Sequence, residues 1–160
     1  LIGGNTATLY EGKIIQYGKT ADVYNKPKNV ISAKVFNDPP INTTNIIKKD
    51  KTFSIENNSV SWQCQPNLNH LADGQYTIGI RPHSITPYKQ TENSIQIKGK
   101  VLIAELSGSE SIIHFQSGDT KWVSLSTGIH PLEVGADAEL HMDVNQFLYF
   151  DQNSKLINHV

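Results

Sequence analysis

Along most of this chain polar and apolar residues alternate with a period of two, which predicts short β-strands rather than long helices. Residues 6–10 and 13–17 read as two strands joined by a tight turn at Glu11-Gly12. A lone hairpin is marginal in water, so this one must pack on something. Residues 20–25 read as a helical turn with Thr20 as N-cap and Asp22 near its positive end. Pro27 stops that turn and can open a second short helix over 28–35, in which Ile31 and Val35 share a face. Asp38-Pro39-Pro40 ends this helix and forms a stiff, extended linker, where the main boundary is placed.

Beyond the linker the alternation is regular. Phe53 and Ile55 precede a two-residue turn at Asn57-Asn58, and Val60, Trp62 and Cys64 follow it. Tyr76, Ile78 and Ile80 define a strand closed by Arg81-Pro82, and 95–106 form a long strand with Gly99 as its expected bend or bulge. Ile113 and Phe115 pair across Gly118-Asp119 with 122–125; Ala138, Leu140 and Met142 mark a half-exposed strand, and 147–150 close the set. About eight short strands with little helix predict an all-β, OB-like small barrel or sandwich carrying short N-terminal helices.

Composition narrows this picture. The chain has 160 residues, a size suited to one domain, or to one domain with an attached piece of another. Residues 1–51 carry eight Lys against four acids, and 52–160 six basic groups against eleven acids, so the net charge of −1 hides a split of about +4 and −5. With no clustered basic face and a single Arg, Arg81, a nucleic-acid partner is not expected. One cysteine, Cys64, excludes an internal disulfide framework. The longest apolar runs, 101–104 and 147–150, are too short to span a bilayer. The only methionine is Met142, so the chain opens at Leu1 without an initiator and reads as a processed form or as the end of something larger.

Candidate chemistry is sparse. There is no GxxxxGK[ST], GxGxxG or GxSxG motif, and Ser107-Gly108-Ser109 fits a strand-to-strand turn. His70, His83, His114, His130, His141 and His159 show no metal-ligand spacing; His141 and Asp143 share a strand face but lack a third ligand, and a solvated face explains them better. Cys64 and the aromatic residues read as core. Glu105, set among apolar neighbours, is read as a rim position. Arg81 beside His83 has two readings: an anion or carboxylate site, or a strand terminator satisfying loop carbonyls.

Taken in order, several segments resemble the C-terminal part of ABC importer ATPases of the carbohydrate and polyol class. Residues 11–18 (EGKIIQYG) are similar to that family's EGRIVQVG. Val23-Tyr24-Asn25-Lys26-Pro27 and the following 31–36 resemble LYxxP…FVAxF. Asp38-Pro39-Pro40-Ile41-Asn42 resembles GSPPMN, 79–83 (GIRPH) resembles GIRPE, and Phe150-Asp151 resembles a late LFD. The resemblance implies that residues 1–37 are the tail of a nucleotide-binding domain and that 38–160 are an OB-like regulatory domain of the transport-associated type. It implies no catalytic role here, with ATP and Mg bound in an upstream domain and no cofactor in this segment. Implied partners are a second copy of the subunit, the importer's membrane subunits and a cytoplasmic regulator, at the cytoplasmic face of the inner membrane. Candidate interface residues are Arg81, His83, Glu105, Phe150 and Asp151. His83 stands where the family has an acid, which makes a pH-sensitive contact conceivable. A rival reading is a small-oxyanion or sugar sensor of the molybdate-binding OB type.

Overall fold

The computed structural model describes residues 3–157; His159 and its role lie outside the described residues. The chain enters as a hairpin, β1 (Asn5–Tyr10) and β2 (Lys13–Lys19), turned by Glu11 and Gly12 at φ 48° and 75°. Two six-residue helices follow, α1 (Thr20–Asn25) and α2 (Val30–Val35). Both start differently from expectation. Lys19 is the N-cap of α1 without a side-chain bond, while the Thr20 hydroxyl donates to Gly4 O at 3.1 Å. Helix α2 begins after Asn29, whose side chain accepts from Ser32 N, because Asn caps better than Pro27 can open.

The rest is an all-β, OB-like body, nearly closed like a barrel, built from two five-stranded antiparallel sheets. The first contains β3 (Asn42–Lys49), β4 (Thr52–Ile55), β5 (Ser61–Gln63), β6 (Gly74–Ile80) and β12 (Leu148–Phe150), in the order β12-β6-β3-β4-β5. The second contains β7 (Ile85–Thr86), β8 (Ser94–Leu106), β9 (Glu110–Ser117), β10 (Thr120–Thr127) and β11 (Asp137–Asp143), in the order β10-β9-β8-β11-β7. The body therefore has ten strands among the described residues, where about eight were expected. The addition that matters most is β3. Its inward positions are Asn42, Thr44, Ile46 and Lys48, so its apolar signature is weak. Lys48 is buried and donates to Asp50 O and Asp73 Oδ1, at 2.5 and 3.3 Å.

Both sheets share one core. Trp62 of β5 donates from Nε1 to the Tyr149 hydroxyl at 3.0 Å, and burial holds that phenol well above its ordinary pKa. Trp122 of β10 stacks on Phe115 of β9, and its Nε1 has no partner. The sheets are stitched by Asn42, which accepts from Val123 N (2.7 Å) and donates to Val123 O (2.8 Å), pairing with an edge strand as another backbone would. Ser124 Oγ donates to Ile85 O at 2.6 Å and ties β10 to the segment that opens β7. Gly99 is no bulge; the register shift in β8 falls between Val101 and Ile103. A Cβ at Gly99 would lie 2.5 Å from Gln116 O and 2.7 Å from the Phe115 ring, so close approach of β9 demands glycine there. Cys64 packs half-buried against the core, and burial raises its thiol pKa.

Candidate interaction site

The hairpin is built inside out. Thr6 pairs with Gly18 and Thr8 with Gln16, and this polar face meets the two helices. There Thr8 Oγ1 lies 3.2 Å from Ser32 Oγ, and Ser32 Oγ donates to Gln16 Oε1 at 2.7 Å. Lys28 N also donates to that Gln16 oxygen, while Gln16 Nε2 donates to Lys26 O. Ser32 is fully buried in this network. The opposite face carries Ala7 across from Tyr17 and Leu9 across from Ile14. Leu9, Ile14 and Tyr17 are 54%, 65% and 67% exposed. Ala7 and Leu9 share a side by alternation, and the register shift between Thr8 and Leu9 brings Ile14 to the same side as Tyr17, making one apolar face open to water. Ile31 and Val35 of α2 are exposed as well, because the buried side of that helix is Ser32 and Ala33.

Where this unit meets the β body, four of the five candidate residues are found. Arg81 leaves β6 and stacks its guanidinium 3.9 Å from the centre of the Tyr24 ring; its Nη2 donates to Tyr24 O. Tyr24 packs in turn on Phe36, with ring centres 5.5 Å apart. Arg81 is buried, has no ion pair among the described residues, and leaves its Nε unpartnered. A ring face and a carbonyl thus hold a cation that a carboxylate would ordinarily hold. His83 is exposed on the 3₁₀ turn Pro82–Ser84; desolvation, and then the Arg81 charge, keep its pKa below the ordinary imidazole value.

Phe150 is fully buried in a small cluster with Ala33, Ile41 and Leu148. Gly79 makes room for it: a Cβ there would sit 2.9 Å from Ile41 Cδ1 and 3.1 Å from Phe150 Cε2. Asp151 Oδ1 accepts from Asn153 N and Lys155 N, folding the tail back so that Leu156 N donates to Lys28 O and Ser154 O receives Val30 N. Glu105 lies apart, exposed next to the end of β8, with Oε1 4.0 Å from His114 Nε2. His141 and Asp143 do not form a site: Asp143 is buried and accepts from Thr91 Oγ1 and Asn145 N. No group of three metal-ligating side chains occurs among the described residues.

A polar cleft of about 290 Å³ opens between β3 and the start of β10, lined by Thr43, Thr44, Thr77, Thr120, Glu56 and Asp119 among others. Missed in the sequence were Tyr24, Gln16 and Asn42. Only the mixed polarity of the hairpin hinted at Gln16, and nothing local marks Tyr24 or Asn42.

No family model matches the chain. It is similar to the ABC transporter ATP-binding protein YcjV of Escherichia coli, uncharacterized, at 27% identity over 92% of this chain and 42% of the relative. It is also similar to the sn-glycerol-3-phosphate import ATP-binding protein UgpC of Vibrio vulnificus (24%, 93% and 40%) and to the xylose/arabinose import ATP-binding protein XacK of Haloferax volcanii (27%, 84% and 36%). The chain is thus a relative of ATP-binding proteins of ABC transporters. It spans about two-fifths of the length of the curated relatives it matches.

Proposed function

We propose that this chain is the regulatory C-terminal end of the ATP-binding subunit of an ABC importer for a sugar or polyol. In this reading residues 1–37 complete the nucleotide-binding domain and 38–160 form the regulatory domain. The observation that carries it is the inside-out hairpin: a face bearing Leu9, Ile14 and Tyr17 is suited to a covering partner, and upstream ATPase sequence is the partner the relatives suggest. The chain itself then performs no ATP chemistry; ATP and Mg bind upstream, and this end tethers two copies and receives regulators at the cytoplasmic face of the membrane. No helix among the described residues is long and apolar enough to cross a membrane.

The test is to purify the polypeptide encoded upstream in the same reading frame and titrate it with this chain. Association is expected, weakened about tenfold or more by the triple change Leu9→Ser, Ile14→Ser, Tyr17→Ser. An upstream frame without a phosphate-binding loop, or association indifferent to the triple change, refutes the reading.

The polar cleft supports a second, sensor reading, but for a neutral polyhydroxy ligand: its carboxylates Glu56 and Asp119 would repel an oxyanion. Calorimetry with glycerol, a pentose and molybdate separates the cases. Heat with molybdate alone contradicts the cleft as the site.

A further inference from the structure

Two strand edges lie open on either side of one groove. In the β4–β5 ladder Ile55 N donates to Val60 O and Cys64 N to Lys51 O, while Trp62 stands opposite Phe53. Antiparallel pairing alternates, so Val60, Trp62 and Cys64 turn their backbone groups toward β4, and Ser61 and Gln63 turn theirs away from it. Across the groove, β8 pairs with β11 from Ser94 to Lys100 but with β9 only from Lys100 onward. Val101 N donates to Ala136 O, which by the same alternation assigns Ile95, Ile97 and Gly99 to β11. Gln96 and Lys98 therefore point their backbone groups along the line β9 would occupy had it continued past Ser117.

One end of this line is closed. Ser117 Oγ takes the Lys98 carbonyl at 2.5 Å, and Asn58 Nδ2 donates to Ser117 Oγ at 2.9 Å. From there the groove runs as two adjoining cavities of about 370 and 240 Å³ that share Ile95. Its apolar lining is Val60, Trp62, Ile95 and Val144. Charge along the walls is balanced internally: Lys98 Nζ contacts Glu139 Oε1 at 2.7 Å, Gln96 Nε2 donates to Glu139 Oε2, and Glu92, which lines the second cavity, pairs with Lys89 Nζ at 3.2 Å.

An open strand edge is a template for another strand, and two such edges flanking one groove specify an extended backbone. We propose that this groove receives an extended segment of a partner polypeptide, which pairs with β5 through Ser61 and Gln63 and with β8 through Gln96. Residues 58–63 set its length at about five or six residues at 3.3 Å each. Every second side chain meets the apolar lining and is apolar. The segment carries no charge, because Lys98 and Glu92 of the walls are already matched. This proposal is independent of the importer reading.

The experiment selects binders to the full chain from a random library of displayed heptapeptides and maps the best one by NMR. Selected peptides are expected to alternate apolar and uncharged polar residues. On binding, amide exchange should slow at Ser61, Gln63 and Gln96 but not at Trp62 or Ile95, which already have partners. Methylating alternate peptide nitrogens should weaken binding about tenfold or more, since each lost backbone bond leaves an acceptor unpaired. Failure to select any peptide overturns the proposal, as does protection elsewhere or tolerance of N-methylation. Protection that rises with protein concentration alone, together with a doubled mass, would assign the groove to a second copy and overturn the partner assignment.

Discussion

The hairpin unit and the β body solve the same problem in opposite ways. In the body, strands turn Phe53, Phe115, Trp122 and Leu140 inward and leave polar residues outside. In the hairpin, hydroxyls and an amide face the helices while Leu9, Ile14 and Tyr17 face water. The body is held by apolar burial; the hairpin is held to its helices by a hydrogen-bond network, and the unit joins the body through the Arg81–Tyr24 contact and the small cluster around Phe150. The difference teaches that the hairpin's inner face was not selected as a core. Its apolar side is the one shaped for contact.

The sharpest test of this contrast removes a body residue. Phe115→Ala should cost about 3–5 kcal/mol in urea unfolding, because the site is fully buried beneath Trp122. A loss below 1 kcal/mol would mean the body is not held by this core. Gly99→Ala should cost about 1–3 kcal/mol through the forced shift of β9, and an unchanged midpoint would contradict the close approach described. In the hairpin unit Gln16→Ala should cost about 1 kcal/mol, by removing the acceptor of Lys28 N and leaving Ser32 Oγ only its Thr8 partner. Gln16→Glu, which keeps the accepting oxygen but loses the Nε2 donor to Lys26 O, should recover part of it.

A smaller effect concerns pH. His83 has a folded pKa depressed below its unfolded value of about 6.5, so its contribution is fully present above that pH and is lost as pH falls through the folded value. The difference in stability between wild type and His83→Asn should therefore slope between pH 7 and 5; a flat difference rules it out. Smallest of all, single Leu9→Ser, Ile14→Ser and Tyr17→Ser changes should each alter the stability of the chain alone by less than about 0.5 kcal/mol. A large loss at any of them would show that the outer face is already in use.

Much of the architecture was legible because alternation is a local signal. The hairpin, the Asn57 turn, β6 and the run from β8 to β11 follow from it. Strand β3 was hidden because Asn42, Thr44 and Lys48 fill inward positions with polar side chains whose partners lie elsewhere: Val123 is 81 residues away and Asp73 is 25. The same limit hid the seam. Arg81 announces a strand end, but its hold on Tyr24 crosses 57 residues, and nothing near either residue signals the other. Alternation alone would set Ile14 and Tyr17 on opposite faces of the hairpin; the register shift at Thr8 and Leu9 unites them, and which face turns inward depends on the helices that land on it.

The two tryptophans make the body its own optical gauge. Trp62 sits in one sheet bonded to a phenol, and Trp122 sits in the other with its indole N–H unpartnered. Their emission should differ in colour, the unpartnered indole being the bluer. An event that threads a strand against β5 would shift the Trp62 band and leave the Trp122 band as an internal standard. The fold thus carries a ratiometric probe that needs no label.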